Sequence, residues 1–408
     1  MQILIVGLNF SPELTGIGKY TGELALVLAK QGHQVTVITT PPYYPYWQIQ
    51  PGYSGRRYQT EIRENLKIIR CPLWVPQRVS GLGRILHLFT FALSSFGVVM
   101  REARQKPDLI FAVAPALVAT PAAALAGKRS KAVTWLHIQD FEVDTALELG
   151  ILRNFPLLRS AASGFEKWVY RKFDRVSTIS PKMVEHLVKK GVPQHKIIYF
   201  PNWVDTAEIF PLDNVHNFRK NNGLDADDVV VLYSGSMGAK QGLEDIIASA
   251  RLLQSHSHIH FVLCGEGSAK AALQRNAAGC SNVHFLPLQP AEKLNELLNM
   301  ADIHVLPQRK ETADLVMPSK LLGILASGQP VIAGCLSGSE LFRVVSAVGV
   351  PVQPENDHAL ADEISSLAND PDRRTRLGIS GRNYVMQHFS KEQVMNGFLS
   401  RIENLTSH

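Results

Sequence analysis

The sequence predicts two α/β domains, each a doubly wound, mostly parallel sheet, facing each other across a cleft. Three observations predict it. The chain has 408 residues, and at ~100–200 residues per domain that is room for two independent cores. Short apolar, β-branched runs alternate with longer helical patterns, which is how right-handed βαβ units read in sequence. The alternation stops and restarts across PNWVDTAEIFPLDNVHNFRKNNGLDADD (201–228), a stretch rich in Pro, Asn and Asp and poor in periodic apolar residues.

In the first half the predicted strands are QILIV (2–6), QVTVI (34–38), KIIRC (67–71), LIFAV (109–113), AVTWLH (132–137), RVSTI (175–179) and KIIYF (196–200). Most lack a clean period of two, as parallel strands covered on both faces do. In the second half VVVLY (229–233), IHFVLC (259–264), NVHFL (282–286), DIHVL (302–306) and PVIA (330–333) are each followed by a helical stretch. Near 241–254, Leu243, Ile246, Ile247, Ala250 and Leu253 share one helical face. The resulting domains are 1–204 and 205–388, with a final segment 389–408.

Composition excludes several classes. Apolar residues make up 45% and charged residues 19%, which rules out a disordered or collagen-like chain. The N-terminus has no basic region before its apolar stretch, unlike a secretory signal. The longest apolar segment, 82–100, has 12 apolar residues in 19 but is broken by Arg84, His87, Thr90, Ser94 and Ser95. It is expected to be a largely buried helix rather than a membrane span. The four cysteines (Cys71, Cys264, Cys280, Cys335) are scattered without a CxxC pair, a pattern that fits a reducing cytosol and argues against a zinc site.

The net charge of +6 conceals an asymmetry. Residues 1–205 hold 25 Lys and Arg against 14 Asp and Glu; the remainder holds 17 against 22. Residues 56–106 alone carry ten basic and three acidic groups. Such a half has either an anionic partner or merely a solvated surface. Its basic groups accompany apolar sequence and no nucleic-acid module is visible, so nucleic acid is disfavoured as the partner. The aromatic stretch YYPYWQIQPGYSGRRY (43–58) offers faces for stacking on sugars, and Arg78, Arg84, Arg101 and Arg104 flank the 82–100 helix as they would beside anionic lipid.

Candidate chemistry lies in the loops that follow strands. Gly16 and Gly18 precede a helix expected to start near Lys19, where backbone N–H groups and the helix dipole favour an anion. HIQDFEVD (137–144) puts His137, Asp140, Glu142 and Asp144 at a strand end, without ligand spacing for a metal. In the second half, Lys240 and Gln241 open a helix after a Gly-containing turn. Gly265, Glu266 and Gly267 repeat the arrangement, and Arg309 follows another strand. Pro318 and Ser319 start a helix whose first turn holds Lys320, a cation opposed to the helix dipole unless an anion sits there.

No single loop is specific; their order is. SPELTGIGKYTGE (11–23), TTPPYYPYWQ (39–48), HIQDFEVD (137–144), STISPKM (177–183), FPNWVD (200–205), YSGSMGAKQGLE (233–244) and MPSKLLGILASG (317–328) resemble, end to end, the retaining glycosyltransferases of GT-B architecture. They are most similar to the group of fucosyltransferases of colanic acid biosynthesis.

The resemblance implies transfer of a sugar, L-fucose from GDP-L-fucose, to a lipid-diphosphate-linked oligosaccharide at the cytoplasmic face of the plasma membrane. The first domain would hold the polyprenyl-diphosphate-linked acceptor and the second the nucleotide sugar, with no metal or other cofactor. SKEQVMNGFLSRIENL (390–405) would be the helix that crosses back to the first domain. Gly16 and Gly18 match the family's glycine loop beside the donor diphosphate, His137 the histidine near the transferred sugar, and Gly265–Gly267 its turn near the nucleotide.

The chain departs from the family at two places. The usual Arg and Lys opening the second domain are replaced by Ser236 and Gln241, with Lys240 one step earlier. The Glu-x7-Glu motif is replaced by Leu315 and Gly323, with Asp314 beside the first position. The expected chemistry is charge neutralisation of the leaving diphosphate by Lys240, Arg309 and Lys320, with His137 and Asp140 at the sugar. A nucleotide-sugar epimerase of the same architecture and a catalytically silent sugar-nucleotide-binding subunit are the alternatives.

Overall fold

The computed structural model describes residues 1–13, 16–77, 80–148, 156–238, 241–310 and 318–406. The chain divides into two compact units. One comprises Met1–Pro201 with Met395–His408, the other Asn202–Val394.

The first unit is built on eight strands: β1 (Gln2–Gly7), β2 (Gln34–Thr39), β3 (Gln59–Arg63), β4 (Leu66–Arg70), β5 (Leu109–Ala114), β6 (Val133–Ile138), β7 (Arg175–Thr178) and β8 (Ile197–Tyr199). They lie in the order β3-β4-β2-β1-β5-β6-β7-β8. Every pairing is parallel except β3 with β4. The second unit carries β9 (Val229–Ser234), β10 (Ile259–Cys264), β11 (Val283–Leu286), β12 (Ile303–Leu306), β13 (Val331–Gly334) and β14 (Val350–Val352), ordered β11-β10-β9-β12-β13-β14 and wholly parallel. These are two Rossmann-like sheets. In each, the first strand of the unit lies where the strand order reverses, and crevices beyond the carboxyl ends of strands at such points are where open α/β sheets hold ligands.

The helices of the first unit are α1 (Gly16–Lys30), α2 (Gly81–Glu102), α3 (Thr120–Ser130), α4 (Glu142–Glu148), α5 (Pro156–Lys172) and α6 (Pro181–Lys189). Those of the second are α7 (His216–Asn221), α8 (Glu244–Leu252), α9 (Lys270–Asn276), α10 (Leu294–Asn299), α11 (Ser319–Ala326), α12 (Glu340–Val348), α13 (Asp357–Ala368) and α14 (Pro371–His388). The last helix, α15 (Lys391–Thr406), begins in the second unit and from Met395 onward belongs to the first. Phe398 anchors it there, with ring centroids 5.6 Å from Phe111, 5.1 Å from Trp135 and 4.8 Å from Phe200.

The strands are legible because they are buried on both faces: β5 is buried at all six positions and β12 at all four. Two strands escape the apolar signal. β3 is an edge strand of sequence QTEIR with mostly exposed side chains, and β14 is three residues long with Pro351 at its centre. Of the apolar face expected near 241–254, Ile246, Ile247 and Ala250 are buried within α8; Leu243 and Leu253 are buried as its flanking cap residues.

The 82–100 segment corrects the expectation of a largely buried helix. It is the surface helix α2. His87, Phe91, Ser95, Val98, Val99 and Glu102 are buried on one side, while Ile85, Leu86, Phe89, Leu93 and Phe96 are 38–77% exposed on the other. A helix apolar almost all round gives the sheet only one of its faces. By length and composition alone, Gly83–Gln105 would also suffice to cross a membrane.

Candidate functional site

In the second unit, three loops pack at the carboxyl ends of β9, β10 and β12. The turn after β9 binds the turn after β10 through backbone: Gly235 N donates to Cys264 O at 2.8 Å, Met237 N to Glu266 O at 2.8 Å, and Ala269 N to Met237 O at 2.9 Å. The backbones are so close that a Cβ on Gly265 would lie 1.9 Å from Gly235 O, and one on Gly267 2.3 Å from Met237 O. Both glycines have φ in the region that L side chains rarely adopt (+149° and +157°). The GEG sequence is thus required to seat one turn upon another. Glu266 itself faces solvent and pairs with Lys270 at 2.6 Å.

Gln241 closes the first turn by accepting from Gly238 N at 3.1 Å through its side-chain oxygen. Arg309, after β12, pairs with Glu244 at 3.1 Å, and its Cγ is 3.5 Å from where a Cβ on Gly242 would be. Lys240, Asp314 and Leu315 lie outside the described residues. Ser319 is exposed at the start of α11. Gly323, where the family's second glutamate belongs, sits in α11 with a Cβ position 3.5 Å from Leu298 Cδ1.

Lys320 is the notable group. From the first turn of α11 it reaches β9, donating to the Tyr233 hydroxyl at 2.6 Å with its ammonium 4.4 Å from the centre of that ring. Tyr233 in turn donates to Ser236 O at 2.6 Å. A Cβ on Gly235 would be 2.3 Å from Lys320 Nζ, so glycine there leaves the lysine its path. Among the described residues no carboxylate pairs with it. Burial lowers its pKa to about 8. The ammonium is thus desolvated with a phenol as its hydrogen-bond partner.

In the first unit, α1 begins at Gly16, three residues earlier than expected, with Gly16 at φ +61°. Gly18 lies within the first turn over Glu13, where a Cβ would meet Glu13 Oε2 at 2.7 Å. Glu13 is buried and ties the loop down. Its Oε1 accepts from Tyr43 N and Tyr44 N, both at 3.0 Å, and its Oε2 from Asn9 Nδ2 at 2.9 Å. Desolvation raises its pKa despite those bonds. Arg70, fully buried, donates to Ser11 O at 2.8 Å and Thr40 O at 3.0 Å and pairs with Glu61 at 2.6 Å. The sequence points to the glycines but not to these anchors, because nothing local marks a buried Glu or Arg.

The four polar residues after β6 part company. His137 is 3% exposed, its Nδ1 lies 2.8 Å from Ser177 Oγ and its Nε2 3.1 Å from Gln139 Nε2, and it stacks on Phe111. Burial drops its pKa to about 3 and keeps it neutral. Glu142 accepts from Ala116 N and Leu117 N, both at 2.6 Å, fixing the loop after β5. Asp144 pairs with His186 at 2.6 Å and Lys190 at 2.9 Å, and Lys190 with Glu166 at 2.6 Å. Asp140 alone of the four is exposed. Thr145 donates to it at 3.2 Å, and desolvation by its surroundings, with Asp144 adding, raises its pKa.

Among the described residues no group of three or more His, Cys, Asp or Glu is arranged to hold a metal ion. Within the second unit, two glycine-built turns and a desolvated lysine without a carboxylate partner among the described residues can receive an anionic group.

Residues 15–203 match the glycosyl transferase 4-like domain family, and residues 214–384 match the glycosyl transferases group 1 family. The chain belongs to these glycosyltransferases. It is 41% identical to the putative colanic acid biosynthesis glycosyl transferase WcaI of Escherichia coli K12, across 98% of this chain and 100% of that one. Among solved structures, the glycosyltransferase is similar to sucrose-phosphate synthase from Thermosynechococcus elongatus, with TM-score 0.76, 18% identity, and 100% and 99% of the two chains covered. It is also similar to Anabaena Alr3699/HepE in complex with UDP and glucose, with TM-score 0.69, 15% identity, and 99% and 100% covered. These two likenesses establish GT-B architecture for the glycosyltransferase.

Proposed function

We propose that this glycosyltransferase moves L-fucose from GDP-L-fucose, with retention, onto a polyprenyl-diphosphate-linked oligosaccharide in the synthesis of a colanic acid-like exopolysaccharide. The 41% identical relative from Escherichia coli, named for colanic acid biosynthesis, supports the pathway class. Lys320 supports the donor: a buried ammonium without a carboxylate is completed by the diphosphate of a nucleotide sugar. The nucleotide is a substrate, and the reading requires no metal.

In the proposed reaction the bond between the anomeric carbon and the β-phosphate oxygen breaks as the acceptor hydroxyl oxygen bonds to that carbon on the same face. The hydroxyl proton passes to the departing phosphate oxygen. Lys320, with Lys240 and Arg309, neutralises charge growing on the diphosphate. Asp140 faces the sugar, and His137 holds the strand end beneath it as a positioning residue. The protein works at the inner face of the plasma membrane, with the exposed apolar side of α2 and its arginines touching anionic lipid.

The test is a thermal-shift panel of GDP, UDP and ADP with their sugar conjugates, followed by transfer of labelled fucose to lipid-linked acceptor. At 100 times its dissociation constant the cognate nucleotide adds ~2.7 kcal/mol of stability. A shift with UDP or ADP but not GDP would overturn the donor. A GDP shift without transfer to any lipid-linked acceptor would select a silent sugar-nucleotide-binding subunit, which the replacement of the Glu-x7-Glu motif by Leu315 and Gly323 favours.

A further inference from the structure

A groove of about 1160 Å³ runs over the first unit between residues 46–56, residues 72–75 and the outer side of α2. Ordinary small-molecule pockets measure ~300–1,000 Å³, so an extended occupant suits it better than a compact one. Its walls include Tyr46, Ile49, Tyr53, Leu73, Trp74 and Leu93, and no carboxylate lines it. The residues are held in place from behind. Thr90 Oγ1 accepts from Trp74 N at 3.2 Å, Ser94 Oγ donates to Pro72 O at 2.8 Å, and the His87 ring lies 2.7 Å from Trp74 O.

Two features identify what fills it. Leu93, 77% exposed, belongs both to the groove and to the apolar face of α2, so the groove opens directly onto that face. Arg56 lines the groove, with Arg57 beside it and Arg84 over the Trp47 ring at 5.6 Å. Among the described residues no carboxylate pairs with any of the three. An apolar channel with unpaired guanidinium groups complements a hydrocarbon chain bearing a phosphate-type head.

We propose that this groove binds the isoprenoid chain of the lipid-diphosphate acceptor next to its head group, with Arg56 and Arg57 at the diphosphate. The inference rests on the acceptor class proposed above and adds the place where the lipid is gripped. A glycan would need hydrogen-bonding carboxylates or amides along its length, whereas here Gln48 and Gln50 are the amides among predominantly apolar walls.

The probe is farnesyl diphosphate, a soluble three-unit isoprenoid, titrated into the full chain without any bilayer while tryptophan fluorescence is followed. Saturation is expected at a concentration at least tenfold below that of inorganic diphosphate, with most of the signal lost in Trp74→Phe. Leu93→Asp, at an exposed position, is expected to raise half-saturation at least tenfold with an unchanged circular dichroism spectrum; Val75→Trp, narrowing the groove from the other wall, is expected to do the same. Inorganic diphosphate as effective as farnesyl diphosphate would overturn the proposal in favour of an anion site. Equal binding of a short-chain phosphatidylglycerol would overturn it in favour of a general lipid face. Saturation by a free oligosaccharide would make the groove a glycan subsite. Farnesyl diphosphate binding without fucose transfer would overturn the functional reading and leave the groove assigned; transfer with no farnesyl diphosphate binding would do the reverse.

Discussion

At the scale of single residues, Lys320 sets stability against function. Burial has lowered its pKa to about 8 from 10.5. Between those values the unfolded chain holds a proton that the folded chain has shed, so this group's contribution to stability rises as pH rises through that window. Below pH 8 the folded state carries a desolvated charge. Lys320→Met, which keeps the length and drops the charge, is therefore expected to raise the melting temperature of the free protein, by ~2–4 °C for each kcal/mol recovered in a unit of this size. The same change should weaken nucleoside diphosphate binding and lower turnover by 10²–10³, the usual loss for one transition-state donor. A lysine of merely structural value would move both readouts down together. Because a bound diphosphate returns the pKa upward, binding at pH 8.5 should take up a proton, measurable by calorimetry in two buffers of different ionisation enthalpy.

The contrast between Lys320 and His137 shows what the residue alphabet reveals. Lys320 is conspicuous in sequence because a cation in a helix's first turn opposes the dipole. His137 is conspicuous too, at a strand end among carboxylates, yet it points into the ring cluster of Phe111, Phe200 and Phe398. Parallel strands covered on both faces lack the alternation that would tell an inward from an outward side chain. The exposed group is Asp140, three residues on, where the strand has ended. Glu13 and Arg70, which fix the first glycine loop, carry little local signal for a related reason: the bonds that tie the loop run to backbone atoms 30 to 59 residues away.

Elements carry two further predictions. The turns after β9 and β10 are one unit, so Gly265→Ala meets both a carbonyl at 1.9 Å and an unfavourable φ. Strain of ~1–3 kcal/mol from the backbone alone is expected to lower the melting temperature and to abolish nucleotide-induced stabilisation, whereas Gly279→Ala, with open space around its Cβ, should cost only its backbone strain. The second concerns α2. Leu86 and Phe89 are 51% and 47% exposed, so the double change Leu86→Glu with Phe89→Glu should leave the melting temperature within about a degree. Burying such side chains fully in an apolar phase is worth ~1.5–3 kcal/mol each, and flotation with phosphatidylglycerol vesicles should accordingly fall by more than tenfold. Unchanged flotation would remove α2 from the membrane contact. From sequence, α2 reads as apolar on every side, and only the packed structure shows which side the sheet has left uncovered.

For the whole molecule, each unit holds interior histidines on which acid acts, and among the described residues His137 in the first and His304 in the second are the most strongly shifted. Burial lowers His137 to a pKa of about 3 and His304 to about 4, against 6.5 unfolded. His304 lies 3.0 Å from Leu298 O through Nε2, while its Nδ1 is buried without a partner among the described residues. Between pH 6.5 and 4 the unfolded chain binds a proton at each position that the folded chain refuses. Stability then falls as pH falls, by ~1.4 kcal/mol per pH unit for each histidine. Glu13, Asp140, Glu142 and Asp245 work in the opposite direction over the lower part of this range. Their raised values mean that the folded chain binds protons first, so they add stability on acidification. Their influence sets in at the raised folded values and is complete by the ordinary carboxylate values of the unfolded chain, so it offsets part of the histidine effect, and the histidine share is read from the change that a histidine substitution makes. His304→Leu removes one such proton from the second unit alone. Denaturant titrations at half-unit pH steps should show the slope for the second unit flattening by one proton while that for the first is unchanged; a slope unaltered by the substitution would mean that His304 is protonated in the folded chain and that the acid sensitivity of this unit has another source.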